Sequence, residues 1–154
     1  MTECKACQRI TRRDEDTVPL WDCIYRARAC DVVHCDSTSI LGWLIIIPRR
    51  HLAAIDEMTE AEAIEVGRLI RAVSIALKHV LDCEKTYVSQ FAEAPGYQHV
   101  HFHVIPRAKD LPEDRKGANI FKNLGLPPEK RLDETTMNDI SARILSHLDK
   151  ADSF

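Results

Sequence analysis

The sequence has no long run of Lys or Arg. Its paired basic residues, Arg12-Arg13 and Arg49-Arg50, stand apart, and the formal net charge is -3. Binding to a nucleic-acid duplex requires a basic stripe that neutralises several phosphates, so no polymeric nucleic acid is expected as a partner. A small phosphorylated ligand needs only a few local donors and stays open. Long apolar runs are missing too. The longest, Leu44 to Ile47 with Trp43 in front, is far short of the roughly 20 residues that cross a bilayer, so no membrane partner is expected. Met1-Thr2-Glu3-Cys4-Lys5 lacks an apolar signal core, which points to a cytoplasmic protein with reduced thiols. No repeat, low-complexity tract or linker divides the 154 residues. A chain of that length can bury roughly 68–70% of its unfolded surface in one core. The expectation is a single domain over 1–154, with 1–20 an irregular arm and 108–154 a C-terminal extension.

Six cysteines in a reduced compartment do not make a disulfide framework. Cys23, Cys30, Cys35 and Cys83 are scattered and read as small buried hydrophobes. Cys4 and Cys7 form a C-x-x-C, which is a metal half-site, a redox pair or a chance surface pairing.

Short β-branched runs at Asp31–Cys35 and Trp43–Ile47, separated by Asp36-Ser37-Thr38-Ser39, predict a hairpin of buried strands. Pro48 ends the second of them, having no N–H for the ladder. Thr59 and Glu62 form a capping box. Beyond it Val66, Leu69, Ile70, Val73, Leu77, Val80 and Leu81 recur at helical spacing and predict one long amphipathic helix. Thr86–Phe91 reads as a third strand, Pro95-Gly96 as a turn, and His99–Ile105 as a fourth strand ended by Pro106. A short helix is expected near Asn119–Leu124. Met137, Ile140, Ile144 and Leu148 mark a last helix, with Thr136 as its cap. Strands and helices without βαβ alternation predict an α+β domain.

The chemistry is concentrated in His99-Val100-His101-Phe102-His103. On a strand, residues two apart share a face, so the three imidazoles are expected on one side and Val100 and Phe102 on the other. Three imidazoles in a row fill a core badly, because each carries a donor and an acceptor that need partners. His99 and His103 would lie roughly 13 Å apart at their Cα atoms, too far for all three to reach one metal without strain. A division of labour fits better. Neutral imidazole is a nucleophile near pH 7, and a neighbouring histidine can hydrogen-bond a phosphoryl oxygen or protonate a departing group. His34, His79 and His147 are read as structural.

The segment His99 to Arg107 resembles the signature of the histidine-triad (HIT) superfamily, H-φ-H-φ-H-φ-φ. Leu44-Ile45-Ile46-Ile47-Pro48-Arg49-Arg50-His51 is similar to the second recurrent segment of that family. The resemblance spans roughly residues 29 to 107. It implies a HIT-like α+β domain with an antiparallel sheet, one long helix and a C-terminal helix, and it also implies a homodimer. The implied activity is hydrolysis or transfer of a nucleoside monophosphate group, with dinucleoside polyphosphates or nucleoside phosphoramidates as substrates. His101 would be the nucleophile that forms a nucleotidyl-histidine, and His103 would contact the phosphate and assist the leaving group. Asp36 lies near the place of a ribose-binding acid, offset by one residue, and a turn-forming Asp is the alternative. The Gly-Gln pair that commonly precedes the triad is missing; Gln90 is the candidate amide for the phosphate. Some members carry a structural zinc, and the matching positions here are Cys4, Cys7, His51 and His99. Two rival readings remain open. One is a non-catalytic nucleotide-binding dimer. The other is a metal-dependent enzyme using the His-x-His pair, with Glu93 as the only nearby acid.

Overall fold

The computed structural model describes residues 4–151, with side chains as far as Leu148; residues 1–3 of the expected arm and 152–154 of the expected extension lie outside the described residues. The chain opens with α1 (Lys5–Glu15), where an irregular arm was expected. Cys4 caps this helix through its sulfur, which accepts from the Cys7 amide at 3.4 Å. Its buried face is Ala6, Ile10 and Arg13, so the third inward position is charged and the apolar period is broken. Arg13 binds Asp22 at 2.7 Å and lies 3.6 Å from Asp31, both buried. Arg26 and Arg49 reach the other oxygen of Asp31 at 3.0 and 3.1 Å. That ion network, rather than a broad apolar stripe, ties the end of α1 to the sheet.

The strands are β1 (Tyr25–Arg26), β2 (Cys30–His34), β3 (Leu44–Pro48), β4 (Lys85–Ser89) and β5 (Phe102–Arg107). They form one sheet in the order β1-β2-β3-β5-β4, antiparallel at every pairing. Between β3 and β4 runs α2 (Glu60–Leu81), opened by the Thr59–Glu62 capping box. The last element of the described residues is α3 (Glu134–Ala151). Asp133, not Thr136, caps α3: its carboxylate accepts from the Thr136 amide at 2.7 Å. The short helix expected near Asn119–Leu124 is a 3-10 segment, Gly117–Asn123. No helix of the described residues is long and apolar enough to cross a membrane.

Alternation in the strands sorts side chains onto two faces. Val32, Leu44, Ile46 and Val104 pack with Val66, Leu69, Val73 and Leu77 of α2 and with Ile140, Ile144 and Leu148 of α3. The opposite face carries Val33 and Ile47 against Ile10 of α1, and Trp43 and Ile105 against Ile120 of the C-terminal segment. His103 has odd parity and belongs to this second face.

β5 begins three residues later than expected, so His99 and His101 precede the ladder. Its last pair with β3 is Ile46↔Phe102. Pro48 has no N–H with which to carry pairing further, and its carbonyl takes the imidazole of His99 instead, at 2.8 Å. The Val100 amide turns to the Leu52 carbonyl at 2.7 Å.

Candidate active site and metal centre

This departure from the ladder separates the three histidines into two centres. His99 is fully buried and points toward α1, while His101 and His103 stay together with ring centroids 4.9 Å apart.

Cys4, Cys7, His51 and His99 present four ligand atoms within 4.8 Å of one another. The Sγ of Cys4 is 3.6 Å from His99 Nδ1, and the Sγ of Cys7 is 3.3 Å from His51 Nδ1 and 3.5 Å from His99 Nδ1. Zinc bonds of about 2.3 Å to sulfur and 2.0–2.1 Å to nitrogen, opened at the tetrahedral angle, place S and N roughly 3.5 Å apart. The spacing therefore fits one small tetrahedral ion. The Pro48 carbonyl can only accept, so Nε2 of His99 carries the proton and Nδ1 turns its lone pair to the sulfurs. Such an outer hydrogen bond sets the tautomer of a metal-ligating histidine. Burial, reinforced by the hydrogen bond and charge of Cys4, pushes the Cys7 thiol up to about 11, a cost that a bound cation would offset. A cavity of about 510 Å³, lined by Cys4, His51, Glu93 and Gln98 among others, opens beside this cluster. Glu93 is exposed and outside the four-ligand set, as are His101 and His103. Among the described residues no His-x-His plus carboxylate cluster forms.

The second centre has its own proton order. His101 Nδ1 lies 2.7 Å from the His99 carbonyl, so Nδ1 is the donor and Nε2 keeps the lone pair. His103 has the opposite arrangement. The Trp43 indole, which can only donate, reaches His103 Nδ1 at 3.0 Å, leaving the proton of the neutral ring on Nε2. Burial, and secondarily the neighbouring His101, pushes the His103 pKa down to about 3, so this imidazole is uncharged at neutral pH. Aromatic edges enclose it: Trp43 at 5.7 Å and Phe121 at 5.4 Å between centroids. Phe121 in turn meets Phe91 at 5.5 Å.

Gln90, half-buried, follows Ser89, the register partner of His103. Asp36, half-buried, is ion-paired with Arg9 of α1. His34 is structural: it is buried, bridges the Cys35 carbonyl at 2.7 Å and the Gly42 amide at 2.9 Å, and burial lowers its pKa to about 4. His79 and His147 stack face to face, 5.5 Å apart, between α2 and α3. Trp43, Phe121 and Arg9 had no signature as site residues. The first two read as ordinary apolar residues and Arg9 fell in the supposed arm.

An antiparallel sheet carrying an alternating histidine segment beside a helix-backed core defines a histidine-triad protein. The family model described as HIT domain matches residues 21–110. That is more than half of the chain, which belongs to the HIT domain family. Solved structures agree on the fold. A Zn-bound histidine triad family protein from Mycobacterium smegmatis superposes with a TM-score of 0.70 at 15% identity, covering 97% of this chain and 96% of that one. A hypothetical histidine triad nucleotide-binding protein from Sulfolobus tokodaii gives 0.70 at 17% identity, with 95% and 94% covered. A histidine triad protein from Marinobacter aquaeolei gives 0.66 at 21%, with 91% and 94% covered.

Proposed function

We propose that this protein is a nucleotide hydrolase or nucleotidyl transferase in which His101 attacks the α-phosphate and carries the nucleotidyl group covalently. The observation that supports this most is the complementary proton order of the two adjacent rings. His101 holds its Nε2 lone pair free by donating Nδ1–H to the His99 carbonyl. The same carbonyl stabilises the positive charge that develops on the ring when Nε2 bonds to phosphorus. His103, neutral and carrying its proton on Nε2, is the hydrogen-bond donor for a phosphoryl oxygen. Gln90 is proposed to add an amide contact to the phosphate. Asp36 is proposed to meet the ribose hydroxyls, which requires it to share or release Arg9. The substrate class is dinucleoside polyphosphates or nucleoside phosphoramidates. Turnover of either class with release of a nucleoside monophosphate tests the reading; tight nucleotide binding without turnover would replace it with the non-catalytic alternative.

Zinc is proposed at Cys4, Cys7, His51 and His99. When bound it supplies a fixed tetrahedral cross-link rather than reaction chemistry, since all four positions are taken by protein. His99 then joins the two centres, because its ring is a ligand and its carbonyl orients the nucleophile. The zinc-bound Mycobacterium smegmatis relative supports this assignment.

A homodimer in the cytoplasm is proposed as well. Ile64 and Ile75 are exposed eleven residues apart on α2, and Val88 is exposed on the edge strand β4. Apolar groups beside an unpaired strand edge favour association with a second copy. Sedimentation at micromolar concentration should give twice the chain mass, and a monomer there would remove the claim.

A further inference from the structure

The proton order of His103 narrows the substrate class, an inference that rests on the proposed His101 chemistry. We infer that Trp43 is a positioning residue that makes His103 a hydrogen-bond donor but not a proton donor, and that the protein therefore acts on α-phosphates whose leaving group departs as a stable anion. Phosphate anhydrides and aryl esters of acidic phenols qualify; alkyl esters and phosphoramidates with an alkylamine leaving group do not.

A general acid gives up a proton and must be left as a stable base. His103 presents Nε2–H, but its other nitrogen already accepts the Trp43 indole N–H at 3.0 Å. Delivering the Nε2 proton would leave an imidazolate. Starting instead from the imidazolium would set an Nδ1–H against the indole N–H, two donors facing each other in a buried place. Indole cannot turn round to accept, having a donor only. The surroundings add no relief. Phe121 and Trp43 close on the ring, and Ile45 and Ser89 are its partners across the sheet. The titratable group that faces it is His101, whose charge opposes protonation of His103. The low pKa of His103 agrees with this geometry.

The electron and proton count follows. The Nε2 lone pair of His101 forms an N–P bond, the P–O bond to the leaving phosphate breaks, and its electron pair stays on that oxygen. A phosphate oxyanion, whose last proton is lost near pH 6, is stable at neutral pH and needs no proton. Water then adds to phosphorus, the N–P bond breaks, neutral His101 is restored and the surplus proton passes to solvent. With an alkylamine leaving group the same first step would expel an amide anion, which does not form in water without a proton that His103 cannot provide.

The test is single-turnover formation of the His101 adduct by the full-length, metal-loaded protein. The probes are adenosine 5′-aryl phosphates of graded leaving-group basicity, a dinucleoside polyphosphate and an adenosine alkylphosphoramidate. Without a proton donor, the p-nitrophenyl ester should react at least roughly 10²-fold faster than the phenyl ester, and the phosphoramidate should trail the polyphosphate by a similar factor, the range a general acid commonly supplies. Nitrogen-15 spectra of His103 should show Nε2–H with Nδ1 as acceptor in the same sample. Trp43→Phe keeps an aromatic ring but frees Nδ1 to take a proton, so it should flatten the leaving-group dependence and raise phosphoramidate relative to polyphosphate about tenfold. A flat wild-type dependence, or equal rates on the two substrates with the His101 adduct present, overturns the inference and leaves the nucleophile standing. No adduct with any probe overturns both.

Discussion

His101→Asn is expected to lose turnover by at least about 10⁴-fold, on the scale seen when a covalent nucleophile is deleted and only binding and electrostatic stabilisation remain. The size follows from geometry. His101 is the one residue of the pair whose Nε2 lone pair is free, because its Nδ1–H is held by the His99 carbonyl, whereas His103 has its lone pair engaged by Trp43. Asn approximates the polar contacts of imidazole but has no nucleophilic nitrogen, so nucleotide affinity should survive within a few fold. His103→Ala should cost less, roughly 10²–10³-fold, the usual effect of deleting one donor to developing charge. Equilibrium binding alongside steady-state rates checks both substitutions. A His101→Asn protein that turns over at near wild-type rate contradicts the mechanism.

The second large effect concerns the metal. Protein prepared without added zinc and kept reduced is expected to contain about one zinc per chain, and Cys7→Ser should lower that occupancy sharply. Structural zinc contributes folding energy directly. Losing even 3 kcal/mol of it would lower Tm by roughly 6–12 °C in a chain of this size. The domain should nevertheless remain folded. α1 is also held by Arg9–Asp36 and by buried Arg13 against Asp22 and Asp31, contacts that do not need the ion. Chelation should therefore loosen the start of α1 and slow turnover, since the residue that orients His101 is itself a ligand. Metal analysis with thermal melts in chelator checks this. Full occupancy in Cys7→Ser, or unchanged stability and rate after zinc removal, would contradict it.

Much of this arrangement was legible in the sequence where apolar period and turn chemistry agree. The capping box at Thr59 and the stripe from Val66 marked α2, and the β-branched runs before and after Ser37 marked β2 and β3. Alternation placed His103 on the face opposite Val100 and Phe102; that this face lies away from α2 appears only in the structure. What was hidden depended on polar contacts over long separations. α1 buries an arginine where the pattern asks for an apolar residue, and its partners Asp22 and Asp31 lie beyond its own span. His99 left the strand because Pro48, two residues past the last β3–β5 pair, could not donate, and its carbonyl was answered by a side chain. Trp43 read as an apolar strand neighbour. Nothing in its spacing announces that its one donor points at the third histidine sixty residues away. The Cys4, Cys7, His51, His99 set came from family resemblance; C-x-x-C spacing alone left it open, and the convergence of the four ligand atoms appears only in three dimensions.

The central claim is covalent attack by His101, and rapid quench addresses it most directly. Wild-type protein mixed with a dinucleoside polyphosphate labelled at the α-phosphate, then stopped within one turnover, should carry label on the chain. A phosphorus–nitrogen bond to histidine should release that label in acid and retain it in base, and mapping should place it at His101. His101→Asn protein should carry none. Steady hydrolysis by the wild type with no protein-bound label at any time, while the nucleotide product accumulates, would contradict the account and assign the attack to water.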